Sequence, residues 1–74
     1  MKTEDIIAEI AKYADDHGTR RGWLAEKVGL SNSVITQLLA GNRGLSVVEY
    51  VLICEAFGVD FDYFINLARD KRTA

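Results

Sequence analysis

Glycine punctuation does most to limit what this chain can fold into. Segments with helical periodicity end at Gly18, Gly29, Gly41 and Gly58, and no proline occurs anywhere in the 74 residues. Glycine is the common residue just past a helix C-terminus. These stops allow only short helices joined by connections of a few residues. Five helices are predicted, over about residues 4–16, 20–28, 32–40, 47–57 and 61–69. No alternating run of β-branched residues suggests a strand. The expected fold class is all-α, with one domain spanning the whole chain.

Local signals support each helix. Ile6, Ile10 and Tyr13, with Ile7, Ala11 and Ala14, form one wide apolar stripe on the first. Thr3 is its expected cap. The second helix buries Leu24, Ala25 and Val28, and Ser31 is the expected N-cap of the third. Ser46-Val47-Val48-Glu49 is a capping box for the fourth, with serine at the cap and glutamate three residues on. The fifth carries Phe61, Phe64, Ile65 and Ala68, and residues after Arg69 are expected to fray.

Composition excludes several classes. A chain 49% hydrophobic and 27% charged is globular rather than disordered. The single cysteine, Cys54, excludes an internal disulfide and leaves no ligand set for structural zinc. It falls at a core position and is expected to be inert. The paired acids Asp15-Asp16 and Asp60/Asp62 have no His cluster or nucleophile beside them, so they read as helix-end charges. His17 reads as a solvated residue at a helix C-terminus. No nucleophile–base pair or metal set can be assembled, and neither an enzyme nor a cofactor is expected. The acidic N-terminus is unlike a signal peptide, and no stretch approaches the roughly 20 apolar residues of a membrane span. The expected setting is cytoplasmic.

Net charge is −2, but its distribution is uneven. Between Thr19 and Val48 stand four bases (Arg20, Arg21, Lys27, Arg43) and one acid (Glu26), a local charge of +3. The remainder holds five bases and ten acids, or −5. An electropositive centre between acidic flanks can orient a protein on a phosphate backbone.

The third helix has an unusual outer face. At about 100° per residue from Asn32, Thr36 falls near ~40°, Ala40 near ~80°, Ser33 near ~100° and Gln37 near ~140°. Val34, Leu38 and Ile35 fall on the other side. The outer face is polar yet uncharged. Asparagine and glutamine offer a donor and an acceptor side by side, which matches the adenine edge in the major groove, and serine and threonine can donate or accept there. Plain solvation also accounts for such a face when it stands alone.

The turn before it adds weight. LAEKVGLSNSVITQLLAG, Leu24 to Gly41, resembles the lambda-repressor and Cro-like helix-turn-helix family, also called the xenobiotic-response-element type. Leu24-Ala25, Val28-Gly29-Leu30-Ser31, Ile35, Leu38 and Gly41 carry the resemblance. It continues through Ile53-Cys54, Ala56-Phe57-Gly58-Val59 and Phe64, and covers about residues 6–66. The resemblance implies a compact five-helix fold whose second and third helices form the motif, with the third in the major groove. It implies base reading by Asn32, Ser33 and Gln37, with Thr36 adjacent, and phosphate contact by Arg20, Arg21, Ser31, Asn42 and Arg43. The implied partner is a double-stranded DNA operator, and the implied role is a small transcriptional regulator, most simply a Cro-like repressor with no small-molecule ligand.

There are departures from the family pattern. Leu39 stands where many members have an acid, and Ala14 where its basic partner would be. Leu45 replaces a common proline. Gly22 lies inside the second helix, at about 1 kcal/mol against alanine. Trp23 is expected to pack against the first helix or its loop. So few bases predict modest affinity and a shallow salt slope.

The second half is too apolar for a lone small core. Val48, Val51 and Leu52, with Tyr63 and Leu67, are the expected interface of a homodimer. The alternative is a protein-interaction module on the same fold, antitoxin-like or anti-repressor, with little DNA binding.

Overall fold

The computed structural model describes residues 2–73, with side chains as far as residue 70. Its elements are α1 (Thr3–Asp16), α2 (Arg21–Val28), α3 (Asn32–Leu39), α4 (Val47–Phe57) and α5 (Tyr63–Thr73). Among the described residues there is no strand. The chain is all-helical, as its periodicity predicts.

The ends follow from specific backbone partners. Ser31 Oγ accepts the Val34 N–H at 3.1 Å and starts α3. The capping box at α4 is complete: Ser46 Oγ accepts the Glu49 N–H at 3.1 Å, and Glu49 Oε1 accepts the Ser46 N–H at 3.1 Å. Gly29 and Gly58 end α2 and α4 at φ of 74° and 71°. That region carries a Cβ penalty, so glycine is the natural occupant.

Several boundaries differ from expectation, and α3 ends at Leu39, one residue early. Lys2, not Thr3, precedes α1, because the Asp5 carboxylate reaches back to the Lys2 N–H at 2.8 Å. Arg20 stands at the residue before α2, without a side-chain cap, rather than belonging to the helix. The fifth helix starts at Tyr63, two residues late. The Phe61 carbonyl is taken by the buried Tyr50 hydroxyl, which donates to it, and the Cys54 sulfur lies 3.9 Å from the same oxygen. A carbonyl anchored to α4 holds Phe61 outside the helix. At its other end α5 runs on to Thr73, through residues expected to fray, while Ala74 lies outside the described residues.

The core joins all five helices. α1 packs against α5 and α3, and α2 packs against α3 and α4. Phe64, Ile10, Leu24, Ile35, Leu38 and Ile53 are the largest fully buried side chains. Each such side chain contributes roughly 1.5–3 kcal/mol by leaving water. Ala14 and Leu39 are both buried, at the two positions where the resemblance implies an ion pair. Such an exchange is often neutral for stability. Cys54 is buried, and burial pushes its thiol pKa up. The Tyr50 hydroxyl is pushed up to about 12, first by burial and then by Cys54.

Aromatic rings tie the periphery together. Tyr13 lies 4.8 Å from Phe57 and 5.5 Å from Phe64, centroid to centroid. Trp23 has its ring beside that of Phe57 of α4, 6.4 Å between centroids. His17 is exposed, its ring stacked on Tyr13 at 4.0 Å and its Nδ1–H donating to the Tyr13 carbonyl at 2.9 Å.

The Ser46–Glu49 cap yields a prediction. Ser46→Ala is expected to lower unfolding free energy by about 1 kcal/mol in urea denaturation. The Ser46 N–H holds the Glu49 carboxyl below the ordinary value of 4.5, against burial, and Arg43 adds to the lowering. A depressed carboxyl stabilises the fold above its unfolded pKa, and that stability is lost as pH falls through the folded value. The stability gap between wild type and Glu49→Gln should therefore be full above pH 4.5 and shrink below it. A gap constant down to low pH would refute the assignment.

Candidate nucleic-acid interface

Burial on one side of α3 decides what the other side presents. Ile35, Leu38 and Leu39 are buried, and Val34 is half-buried. Asn32, Ser33, Thr36, Gln37 and Ala40 are all exposed. The four residues expected to read bases therefore share one open surface with no charged side chain among them.

Thr36 differs in detail. Its hydroxyl donates to the Asn32 carbonyl at 2.9 Å, the back-bond that threonine often makes within a helix. The hydroxyl hydrogen is thus committed, and a lone pair and the methyl group remain for a ligand. A thymine methyl would suit the latter. Ser31 has the reverse arrangement. Its oxygen accepts from Val34, and its hydrogen is free to donate outward.

The N-terminus of α2 lies beside this surface. A Cβ built on Gly22 would meet the Asn32 side-chain nitrogen at 4.0 Å and nothing closer. Gly22 thus brings the Arg21 end of α2 alongside the start of α3. No side chain caps α2, so its first-turn N–H groups have no side-chain acceptor. Open amides at a helix start suit an anion. Past α3, Gly41 turns the chain and the Asn42 N–H closes on the Gln37 carbonyl at 2.9 Å. Asn42 and Arg43 follow, both exposed.

The arginines are not free. Arg43 Nη1 and Nη2 lie 3.2 and 3.3 Å from one Glu49 oxygen, Oε2. Arg21 Nη2 lies 3.5 Å from Asp15 Oδ1. Both acids stand just outside the +3 segment, on other turns of the chain. Sequence reasoning found Glu49 as a cap and missed it as a partner of Arg43, because the capping pattern carries no signal for the loop that folds back on it. Arg20 is exposed.

The five apolar interface candidates fall in two places. Val48 is 68% exposed near the start of α4, with Val51 and Leu52 half-buried further along. Tyr63 and Leu67 instead line a groove of about 220 Å³ between α1 and α5, together with Glu9, Lys12, Tyr13, Asp16 and His17. Two further apolar residues are exposed. They are Val47, 72% exposed, and Phe61, whose ring sits edge-on to Tyr50 at 5.0 Å. Among the described residues, no group of three or more His, Cys, Asp or Glu could hold a metal ion, and no helix is long and apolar enough to cross a membrane.

Two short helices packed across a glycine turn, the second exposing a hydrogen-bonding face, define a helix-turn-helix DNA-binding domain. The family model described as "Helix-turn-helix" matches residues 10–64, and the chain belongs to that family, the lambda-repressor/Cro-like helix-turn-helix domains. Comparisons with curated proteins and with solved structures gave no significant match. Membership makes this a DNA-binding helix-turn-helix regulator, from a family that is typically non-enzymatic.

The close approach at Gly22 is testable. An added methyl meets only one side-chain atom, at ordinary contact distance. Gly22→Ala should raise unfolding free energy, by up to about 1 kcal/mol. Chemical denaturation showing a loss instead would mean that α2 and α3 sit closer than described.

Proposed function

We propose that this protein is a homodimeric repressor that reads a specific operator through the major groove and occludes promoter DNA. The observation that carries this reading is the uncharged, exposed face of α3 flanked by the open start of α2. Asn32, Ser33 and Gln37 read base edges, and Thr36 contributes its methyl and lone pair. Arg20, Arg21, Ser31, Asn42 and Arg43 hold the backbone on either side, together with the first amides of α2. Phosphate contacts of this kind position the helix, and the uncharged face selects the sequence.

The apolar surface at the start of α4 supports a second copy. Val47, Val48 and Phe61 are large and exposed apolar residues, which a monomer of this size would gain nothing by keeping. A two-fold dimer would present two α3 helices one helical turn apart and double the number of phosphate contacts. The groove lined by Tyr63 and Leu67 lies outside that surface and is not needed for it.

Selection from a random DNA pool, followed by anisotropy on the enriched site, tests base reading. Gln37→Ala should lose about 1–3 kcal/mol on the preferred site and relax preference at one position. Arg21→Ala should weaken all sequences alike. Equal loss on all sequences for Gln37→Ala would sink the assigned face.

Sedimentation tests the dimer. Val48→Asp should shift the protein to monomer and weaken operator binding together, while leaving helicity unchanged. A wild type that stays monomeric on and off a palindromic site excludes it. Capture of a different protein at this surface, with no retention on DNA at low salt, would favour the interaction-module reading instead.

A further inference from the structure

One carboxylate does more than a helix cap requires. Glu49 Oε1 accepts the Ser46 N–H, and Oε2 receives both terminal nitrogens of Arg43. An anion held by a backbone amide at a helix start and by a guanidinium is the arrangement that binds phosphate at such places. Here the anion belongs to the chain itself. The Glu49 side chain is only 15% exposed, so it is held in place, while Arg43 at 38% remains reachable. Arg43 is also in the loop directly after the reading helix, where a phosphate backbone would pass.

We infer that Glu49 is an internal stand-in for a DNA phosphate, competing for Arg43 and so lowering affinity for every sequence by the same factor. This rests on the DNA-binding reading proposed above. Arg43 must leave, or share, its carboxylate before it can serve the backbone. Base-edge contacts on α3 are untouched by that exchange. The result is a binder whose occupancy depends on its base contacts, because the phosphate attraction common to all sequences is held down. Asp15 does the same for Arg21 more weakly, with one contact at 3.5 Å from a carboxylate whose side chain is 68% exposed.

The sign of one substitution decides the matter. Glutamine is the other residue that completes a capping box, so Glu49→Gln keeps the cap and removes the charge. Anisotropy on the full chain would use the selected operator and a mixed-sequence duplex of about 20 base pairs, over about 50 to 200 mM salt. Glu49→Gln is expected to tighten both duplexes by about three- to fivefold at low salt. It should steepen the slope of log K against log salt by about 0.9 and leave the ratio of the two affinities unchanged. In an Arg43→Ala background it should do nothing. Glu55→Gln, which removes a charge from an exposed residue of the same helix, should leave the slope unchanged.

Weaker or unchanged binding by Glu49→Gln overturns the inference. So does an equal effect from Glu55→Gln, or one that persists without Arg43. If neither wild type nor Glu49→Gln binds any duplex, the DNA-binding reading has failed. Tripolyphosphate then decides the competition separately, by NMR shifts of the Arg43 Nε–H. Tighter binding to Glu49→Gln than to wild type upholds it, and equal binding ends it.

Discussion

Burial of Ile35, Leu38 and Leu39 fixes α3 about its own axis, and the proposed DNA surface depends on that rotation. A helix of eight residues has little stability of its own and takes its orientation from the core. Turning α3 by one residue, about 100°, would carry Gln37 or Ser33 inward and an isoleucine or leucine outward. The hydrophobic core therefore acts as the aiming device for four small polar side chains. Leu24 and Val28 on α2 and Ile10 on α1 complete the socket, and Gly29 sets the angle at which α3 leaves α2.

The charges follow a different logic from the core. The electropositive centre reads as +3 along the chain, yet in three dimensions two of its four bases face an acid. Exposed pairs of this kind contribute little to folding, about 0–1 kcal/mol. Their effect on the field is larger, because a paired guanidinium offers less attraction at a distance than a free one. The proposed DNA surface consequently has two of its arginines paired with acids and is rich in hydrogen-bonding groups on α3. Glu49 stands at the junction of both logics. The same side chain stabilises α4 through Ser46 and lies across the arginine of the preceding loop.

Much of the fold was legible because its signals are local. Glycine after a periodic run, serine at a cap and glutamate three residues later each act within one or two turns. The capping box at Ser46 and the caps at Ser31, Gly29 and Gly58 were all readable on that account. What escaped was set by partners distant in sequence. The start of α5 moved because Tyr50, eleven residues earlier, holds the Phe61 carbonyl. Trp23 found Phe57 across the fold, and Arg43 found Glu49 across the capped turn. At the site, helical spacing alone put Asn32, Ser33, Thr36 and Gln37 on one face. It did not show that Gly22 lies beside Asn32, or that the Thr36 hydroxyl is turned back on its own helix.

The two economies of this chain, a small core and few free bases, point to the same remedy. A domain of 74 residues buries only about 60% of its unfolded surface, and this one leaves Val47, Val48 and Phe61 in water. Covering them in a symmetric contact would remove apolar surface from both copies at once. The same contact would place a second Arg20, Arg21 and Arg43 on the DNA without adding a residue to the chain. An operator complex then gains phosphate contacts in proportion to copies, while a monomer meeting random DNA has only its own, weakened by Asp15 and Glu49. Weak single-subunit attraction and an exposed apolar surface are thus mutually consistent. In the proposed dimer, binding would then depend on two half-sites rather than on charge.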